Sequence, residues 1–593
     1  MARRRSVVVA GGGIGGLAAA VGLAARGVDV TVVERAGRIG GGGSGLVVYP
    51  NGVRAADALG GRLGERLRAV GHVTRPGEVR VLMDAAGTVL AEEAVGDAGG
   101  DGGTPQIPVL RSALHRALLD EALTAGAAVR LATGVTGYTA HPGHVVADLS
   151  DGTAVECDAL VGADGIHSVV RARMLDDGPP VYRGYSSVRG RTTGSSLGQR
   201  GYVVNGRGIQ LFVAPVGADT LYWTAKITAP EGLWPARGAE GARLALLEAL
   251  EGWYPPVVEL VRAAAAEEVV VTDIHDRDPA PRWVDGRVAL LGDAAHPMVP
   301  ALGQGANMAL EDAAVLTEAL ASDAPVPEAL AGYARERMGR TAAVVLASRR
   351  QGALDQGADR DGEERRNAGF RAAGRKDAES ADVLAWRPGA GATAPGTAGA
   401  PRIVLVSGSL RPGSTCDRVA AWCADRCAEL GADARVFTGS EIDFPAYRPG
   451  LAQTHAAVAG FLAELRAADG VVLVSPTYHA TVSGLLKNAL DYVNDIGGPV
   501  PYLEGRAIGT VAVGAAAQGA VSTLTTLRTI GHALRGWPTP VGVAVARAPE
   551  QPRSGAEPEP DAARLVEMAS QVVWLARARA ATEPRPAPLG AVA

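Results

Sequence analysis

The spacing of apolar positions divides the chain into strands that alternate with helices. Ser6–Ala10 is a short β-branched run and reads as a buried strand. A glycine-rich stretch follows it and opens into LAAAVGLAARG, a helix that Gly27 ends, and VDVTVVE is a second strand. The pattern recurs at DALVGADGIHSVVR (158–171), where a strand ends at Gly162 and a helix starts around Ser168 and Arg171. It recurs again in RVALLGDAAHPMVPALGQGANMALED (287–312). There a strand ends at Gly292-Asp293, a Pro-punctuated loop follows, and a helix begins near 303–307. Between these blocks, GIQLFVAPV (208–216) and the alternating positions 221–227 predict antiparallel strands within a sheet spanning about 180–275. Beyond residue 400 come strand 402–406, helix 416–430, strand 433–437, helix 453–468, strand 470–475, helix 483–494, strand 507–513 and a helix from about 521. Such alternation predicts an α/β chain whose second half is a doubly wound parallel sheet of flavodoxin type.

Polar interruptions set the boundaries. Residues 91–104, AEEAVGDAGGDGGT, read as a Gly/Asp-rich loop, and 355–380 as charged helix and loop. Residues 388–401, PGAGATAPGTAGAP, are low-complexity and read as an interdomain linker. The expected domains are therefore 1–385 and 402–580, joined by a linker at 386–401 and followed by a disordered tail at 581–593. A length of 593 residues exceeds what one core supports. A net charge of −5 offers no basic face for nucleic acid. The four Cys (157, 416, 423 and 427) lack CxxC metal spacing; Cys423 and Cys427, four apart on a helix, read as buried thiols. No metal site is expected, and the thiols suit a reducing cytoplasm. The start, MARRRSVVVAGGG, has a basic beginning like a signal peptide, but its apolar run is too short and reads as a strand. No stretch is long and apolar enough to span a membrane.

The first loop carries the chemistry. Gly11, Gly13 and Gly16 satisfy GxGxxG between strand and helix, with Glu34 ending the next strand. Gly11 supplies the tight turn, Gly13 the close approach to a pyrophosphate and Gly16 the helix–strand packing. Glu34 is placed to accept a ribose hydroxyl. With the later Asp-Gly and Gly-Asp motifs in order and spacing, and with YPNGVRAADALG (49–60), RSALHRAL (111–118) and YARERMGRTAAVV (333–345), residues 5–350 resemble the single-component FAD-dependent aromatic hydroxylases, the class A flavoprotein monooxygenases. The resemblance implies a Rossmann-like FAD-binding domain with an inserted antiparallel-sheet substrate domain. It implies FAD contacts from Gly11, Gly13, Ile14, Gly16, Glu34, Arg35, Gly45, Arg111, Val135, Asp164, Gly165, Asp293, Gly303, Gln304, Gly305, Ala306 and Asn307. Asp293 would hold a ribityl hydroxyl. The helix near Gly305 would aim its positive end at the flavin pyrimidine edge, which becomes negative on reduction. Pro297 and Pro300 would stiffen the adjacent loop and keep water out. Arg189, Gln210, Phe212, Tyr222, Thr224 and Pro297 are the substrate-pocket candidates, and each also fits an ordinary structural role. No catalytic base stands out, and His296 reads as structural. A halogenase's Trp-x-Trp-x-Ile-Pro motif and a disulfide reductase's cysteine pair are both absent.

In the second half, SGSLRPGST gathers the Ser407, Ser409, Ser414 and Thr415 hydroxyls with Arg411 around one point suited to a terminal phosphate. With SPTYHATVSGLLKNALDYV (475–493), residues 401–548 resemble the NADPH-dependent FMN reductases, a flavodoxin-like family that includes quinone and azo reductases. The resemblance implies FMN held by those residues and by Pro476, Thr477, Tyr478, His479 and Gln518. It also implies dimerisation through a helix opening at Leu486-Lys487-Asn488. The expectation is a bifunctional flavoenzyme that uses FAD, FMN, NAD(P)H and O2 to hydroxylate a small aromatic or polyketide-like molecule. Its reductase half either reduces a quinone-type product or supplies reducing equivalents. A monooxygenase wholly dependent on the rear half for reduced flavin, and a redox sensor without turnover, are the alternatives.

Overall fold

The structure is a computed structural model that describes residues 4–40, 44–96, 103–373, 383–389, 400–496, 501–514, 517–545 and 560–580. Most of the linker read at 386–401, and all of the tail at 581–593, lie outside the described residues. The chain divides into two compact units, Met1–Ala392 and Thr393–Ala593.

The front unit begins β1 (Ser6–Ala10), α1 (Ile14–Ala25), β2 (Asp29–Val33), β3 (Gly45–Val48), α2 (Pro50–Ala58), α3 (Leu63–Val70), β4 (Val79–Asp84), β5 (Val89–Ala94), β6 (Ile107–Leu110) and α4 (Arg111–Thr124). It continues β7 (Ala128–Arg130), β8 (Val135–Ala140), β9 (Val145–Leu149), β10 (Ala154–Cys157), β11 (Ala159–Gly162), α5 (Val169–Leu175), β12 (Val181–Thr193), β13 (Gly201–Gly206), β14 (Ile209–Pro215) and β15 (Thr220–Thr228). It closes with α6 (Gly238–Ala249), α7 (Pro255–Arg262), β16 (Val270–Asp276), β17 (Val284–Asp285), β18 (Val288–Leu290), α8 (Gly305–Ala321), α9 (Val326–Gln356) and α10 (Arg360–Ala373). One sheet runs β17-β18-β11-β1-β2-β7, parallel except at β17. Its central strands are unbroken Val/Leu/Ala runs because helices cover both faces. The carboxyl ends of β1, β2 and β11 therefore deliver Gly11, Glu34 and Asp164 to one edge, where a doubly wound sheet binds its ligand.

The second large sheet runs β16-β12-β15-β14-β13-β4-β5. The antiparallel ladder expected over 180–275 is present. The sheet also recruits β4, parallel to β13, and β5, which pairs with β4. Residues 91–94, expected as the start of a loop, are thus the end of a strand. Strand alternation sorts the two faces. Leu221, Trp223, Ala225 and Ile227 pack in one core with residues of α6 and α7, which leaves Tyr222, Thr224 and Lys226 on the opposite face. The register sets Arg189 beside Thr224, with Phe212 on the other side, and Gln210 beside Lys226.

The rear unit contains β19 (Arg402–Ser407), α11 (Thr415–Glu429), β20 (Asp433–Phe437), α12 (Ala456–Ala467), β21 (Gly470–Pro476), α13 (Gly484–Asp491), β22 (Ala507–Val513), α14 (Ala517–Ala533), β23 (Trp537–Pro538), β24 (Val543–Val545) and α15 (Pro560–Ala580). All strands are parallel in the order β20-β19-β21-β22, with β23 and β24 both on β22, the flavodoxin arrangement. Cys416, Cys423 and Cys427 of α11 share one apolar layer with Leu565, Met568 and Val572 of α15. Phe461, Leu486 and Leu527, from α12, α13 and α14, share the other.

Candidate flavin and substrate sites

The glycine loop is fixed by close approach. Gly11 has φ +107°, and a Cβ on it would lie 2.3 Å from the Ala163 carbonyl oxygen; one on Gly16 would lie 2.0 Å from the Gly11 oxygen. A Cβ on Gly13 would meet nothing within 4 Å. Gly13 is the residue before α1, whose first turn, opening at Ile14, has neither a side-chain cap nor an acidic residue. Unpaired N–H groups therefore face open space, which is what a pyrophosphate requires. Glu34 leaves β2 with its carboxylate accepting from the N–H of Gly12 (2.7 Å) and Ala36 (2.8 Å). Arg35 is exposed beside Gly134, and Val135 opens β8. Gly45 opens β3, and Arg111, exposed, opens α4.

The start of α8 is equally bare. No side chain caps it, and no acid occupies its first turn. Gln304 and Asn307 do not turn their side chains to a cleft. The Gln304 oxygen accepts from Asn51 Nδ2 (3.0 Å), while Asn307 accepts from Tyr49 N (2.8 Å) and donates to the Val47 and Gly303 carbonyls. They fix the backbone of Gly303, Gly305 and Ala306, which leaves main-chain groups as the contacts a flavin ring could use. Asp293 is exposed, with no hydrogen bond or ion pair among the described residues, as a ribityl partner should be. Pro297 is buried behind it. Asp164 is already engaged, accepting from Ser168 Oγ (2.5 Å) and Val169 N (2.7 Å) at the head of α5. Burial pushes its carboxyl up despite these donors. Gly165, at φ +83°, has open space beside it.

Beneath this loop lies a buried charge network that motif spacing alone does not announce. Arg337 donates to Glu311 Oε2 (2.6 Å) and Asp312 Oδ1 (2.7 Å), Arg340 donates to Glu311, and Asn51 Nδ2 donates to Glu311 Oε1. Asp312 Oδ2 also meets His296 Nε2 at 2.5 Å and accepts from Gly292 N. Burial alone would push Glu311 up, but Arg340 and Arg337 outweigh it and hold the carboxyl below its usual range. His296 thus ties the Gly292–Pro300 loop to α8, a structural task. The stretches YPNG, ED and YARERMGR are the trace of this network in the sequence.

On the second sheet the five candidates Arg189, Gln210, Phe212, Tyr222 and Thr224 share one face. That face looks toward β3, because a Cβ on Gly45 would lie 2.5 Å from the Tyr222 ring. Gln210 is buried and donates to Asn205 Oδ1 (2.9 Å). Thr224 shares a hydrogen bond with Ser187 (3.0 Å). Lys226, which lies on the same face, pairs with Asp355 of α9 at 2.8 Å. Arg189 donates from Nη2 to Thr272 Oγ1 (3.1 Å), while its enclosed Nε has no acceptor.

In the rear unit the phosphate loop differs from expectation. Ser407 Oγ donates to Asp417 Oδ1 (2.6 Å), and Ser414 and Asp417 form a reciprocal cap on α11. Those two hydroxyls are therefore committed to the protein, and Thr415 accepts from Arg418. What remains is Ser409, the exposed Arg411 and the N–H groups of Leu410, Arg411 and Gly413, which donate to no group among the described residues. Such a nest of amides fits a phosphate. Asp417 is absent from the expected residues, although S-x-x-D is a visible cap. Beyond Pro476, Thr477 holds its N–H on the Val513 carbonyl (2.8 Å) and Tyr478 is exposed. His479 and Ala480 both have positive φ in a tight turn closed by Tyr478 and Thr481. Gln518 is exposed on α14. In the expected dimer helix, Leu486 is in the core, Lys487 pairs with Asp491, and Asn488 holds the 444–447 loop.

Comparison with known proteins gives two family matches. An FAD binding domain covers residues 4–178 and 248–348, and an NADPH-dependent FMN reductase covers 401–550. Aurachin C monooxygenase/isomerase of Stigmatella aurantiaca is 36% identical over 359 residues, spanning 59% of this chain and 90% of that protein. The 3-amino-4-hydroxybenzoate 2-monooxygenase of Streptomyces cremeus is 37% identical over 352 residues, spanning 58% and 86%. Among solved structures, Klebsiella pneumoniae HpxO complexed with FAD and uric acid superposes with a TM-score of 0.59 and 29% identity, over 64% of this chain and 96% of that one.

Proposed function

Because this chain belongs to the FAD-dependent aromatic monooxygenases, with an NADPH-dependent FMN reductase domain behind, we propose that it hydroxylates a small aromatic or polyketide-like molecule and couples this to its reductase half. The proposal includes the domain limits 1–385 and 402–580 and the flavin-contacting residues named above. It also includes a homo-oligomer formed through the reductase domain. The observation that carries it is two flavin-suited sites on one polypeptide: bare N-termini at α1 and α8 in front, and an amide nest with Arg411 behind.

When bound, FAD would supply the chemistry that, with NAD(P)H as reductant, puts one oxygen of O2 into the ring and the other into water, and FMN would supply hydride transfer to an acceptor. The chain itself would hold the isoalloxazine through the backbone of Gly303–Ala306, with buried Pro297 shielding it and the sheet face of Tyr222, Thr224 and Phe212 orienting the substrate. Positioning of this kind supplies much of what a hydroxylation of an electron-rich ring needs. The Asp-Gly motif in front, Asp164-Gly165, favours direct reduction there. That leaves the rear half to reduce a quinone-type product, captured at high effective concentration by tethering.

The test compares the full chain with residues 1–392 alone for aromatic-stimulated NAD(P)H oxidation and product formation. A front piece that hydroxylates unaided supports product reduction. One active only with added reduced flavin turns the assignment to electron supply. NAD(P)H oxidation that no aromatic stimulates refutes turnover and leaves the sensor.

A further inference from the structure

The last described stretch of the front unit, residues 383–389, lies outside both matched family stretches and leads into the expected linker, yet it is fastened to the oxygenase half. Arg54 of α2 donates from Nε to the Trp386 carbonyl (2.8 Å) and from Nη2 to the Leu384 carbonyl. Arg340 of α9 donates from Nη2 to the Val383 carbonyl (2.6 Å). Trp386, read from the sequence as the first residue of the linker, packs against the apolar core of the front unit. Its ring lies over the wholly buried Arg337, whose Cζ is 5.9 Å from the ring centre. The hydrogen-bonding edge of that guanidinium is engaged by Asp312, Glu311 and the Met308 carbonyl, which leaves its flat face for the indole.

The same arginines reach the flavin side. Arg337 holds Asp312, whose other oxygen accepts from Gly292 N (3.1 Å) and meets His296, on either side of exposed Asp293. Arg337 and Arg340 hold Glu311, and Asn51 Nδ2 donates both to Glu311 and to the Gln304 oxygen (3.0 Å), directly before α8. Asn51 and Arg54 are three apart on α2, so one face of that helix carries the bridge to Gln304 and the clamp on Trp386. Two routes therefore run from 383–389 to the two places suited to a flavin. A buried charge network keeps its strength and its single geometry only while water is excluded from it. Resting on the flavin contacts proposed above, we propose that Trp386 is a positioning residue for the FAD site. It closes the face of Arg337, and through Asp312 and Glu311 it sets the Gly292–Asp293 turn and the start of α8. Coupling of this kind is reciprocal, so bound FAD tightens 383–389 onto the front unit and its loss loosens the root of the linker.

The test uses the full chain with and without FAD. Amide hydrogen exchange, read by mass spectrometry in peptides covering 383–389, should slow at least about fivefold when FAD is added, the lower end of ordinary coupling between sites, and should not respond to FMN alone. W386A should bind FAD roughly tenfold more weakly or worse, the size of a desolvated cation–π contact. Once saturated with FAD, it should also show an altered visible absorbance of the bound flavin. W386F keeps an aromatic face and should recover most of the affinity and the spectrum. A tryptophan that only stabilises the fold would lower the unfolding midpoint of W386A and leave FAD affinity and spectrum unchanged, which overturns the proposal. Exchange at 383–389 that ignores FAD, or that FMN slows equally, also overturns it, and that measurement needs no variant to fold. FAD retained by W386A at full strength while Gly13→Ala loses it overturns the inference alone. A wild-type chain that retains no FAD faults the flavin contacts and the inference with them.

Discussion

Gly11 and Gly13 are near neighbours in one loop, yet they are glycine for different reasons. A methyl group at Gly11 collides with the Ala163 carbonyl and demands a left-handed backbone; one at Gly13 meets empty space. Gly11→Ala should therefore lower the thermal midpoint of the apoprotein, by an amount corresponding to about 2 kcal/mol or more. Gly13→Ala should leave that midpoint within a degree or two and abolish FAD retention on gel filtration. Equal loss of stability in both would refute the distinction. The thiols give a second test at this scale. Burial pushes Cys157 up to about 11 and Cys416 and Cys427 up to about 12. The folded protein keeps these protons when the unfolded chain, ionising near 9, has lost them. Their contribution is intact below pH 9 and falls away as pH climbs toward 11–12. Denaturant midpoints at pH 8 and pH 10.5 should show the loss. At pH 8 the native protein should resist a thiol reagent that labels all four cysteines in urea.

Among the elements, those with a sharp period are legible in the sequence. Strand 433–437 and the strand from 470 have runs that end in turn residues, and the helix expected at 416–430 lies within one residue of α11 at each end. β5 escapes such reading because VLAEEA has few apolar positions and runs into a Gly/Asp tract. β23 and β24 are only two and three residues long, and no window can register them. The substrate face depends on register, since Arg189 and Phe212 become neighbours only through β15. Two predictions belong here. Asp312→Asn removes a partner that Arg337 and His296 share, and the buried charge left behind should cost about 3 kcal/mol, read as a drop in the front unit's unfolding midpoint. Asp417→Asn removes a carboxylate that competes for the hydroxyls and amides of the phosphate loop. A unit charge a few ångströms from a phosphate costs about 1 kcal/mol in water-like surroundings, so FMN should bind roughly fivefold more tightly and riboflavin unchanged. Tightening of both by the same factor would mean that the carboxylate acts elsewhere.

For the whole molecule, two units with separate cores predict two calorimetric transitions. FAD should raise one and FMN the other, each by mass action; a single transition moved by either flavin would refute independent folding. The bare starts of α1 and α8 also contrast with α11, which caps itself through Ser414 and Asp417. A newly made front half without its nucleotide lacks a stabilisation worth about 4 kcal/mol at a thousandfold saturation. Quality-control proteases act on that difference. Riboflavin starvation would then remove the oxygenase as polypeptide, not merely idle it, so the amount of enzyme in the cell would follow vitamin supply even with transcription held constant.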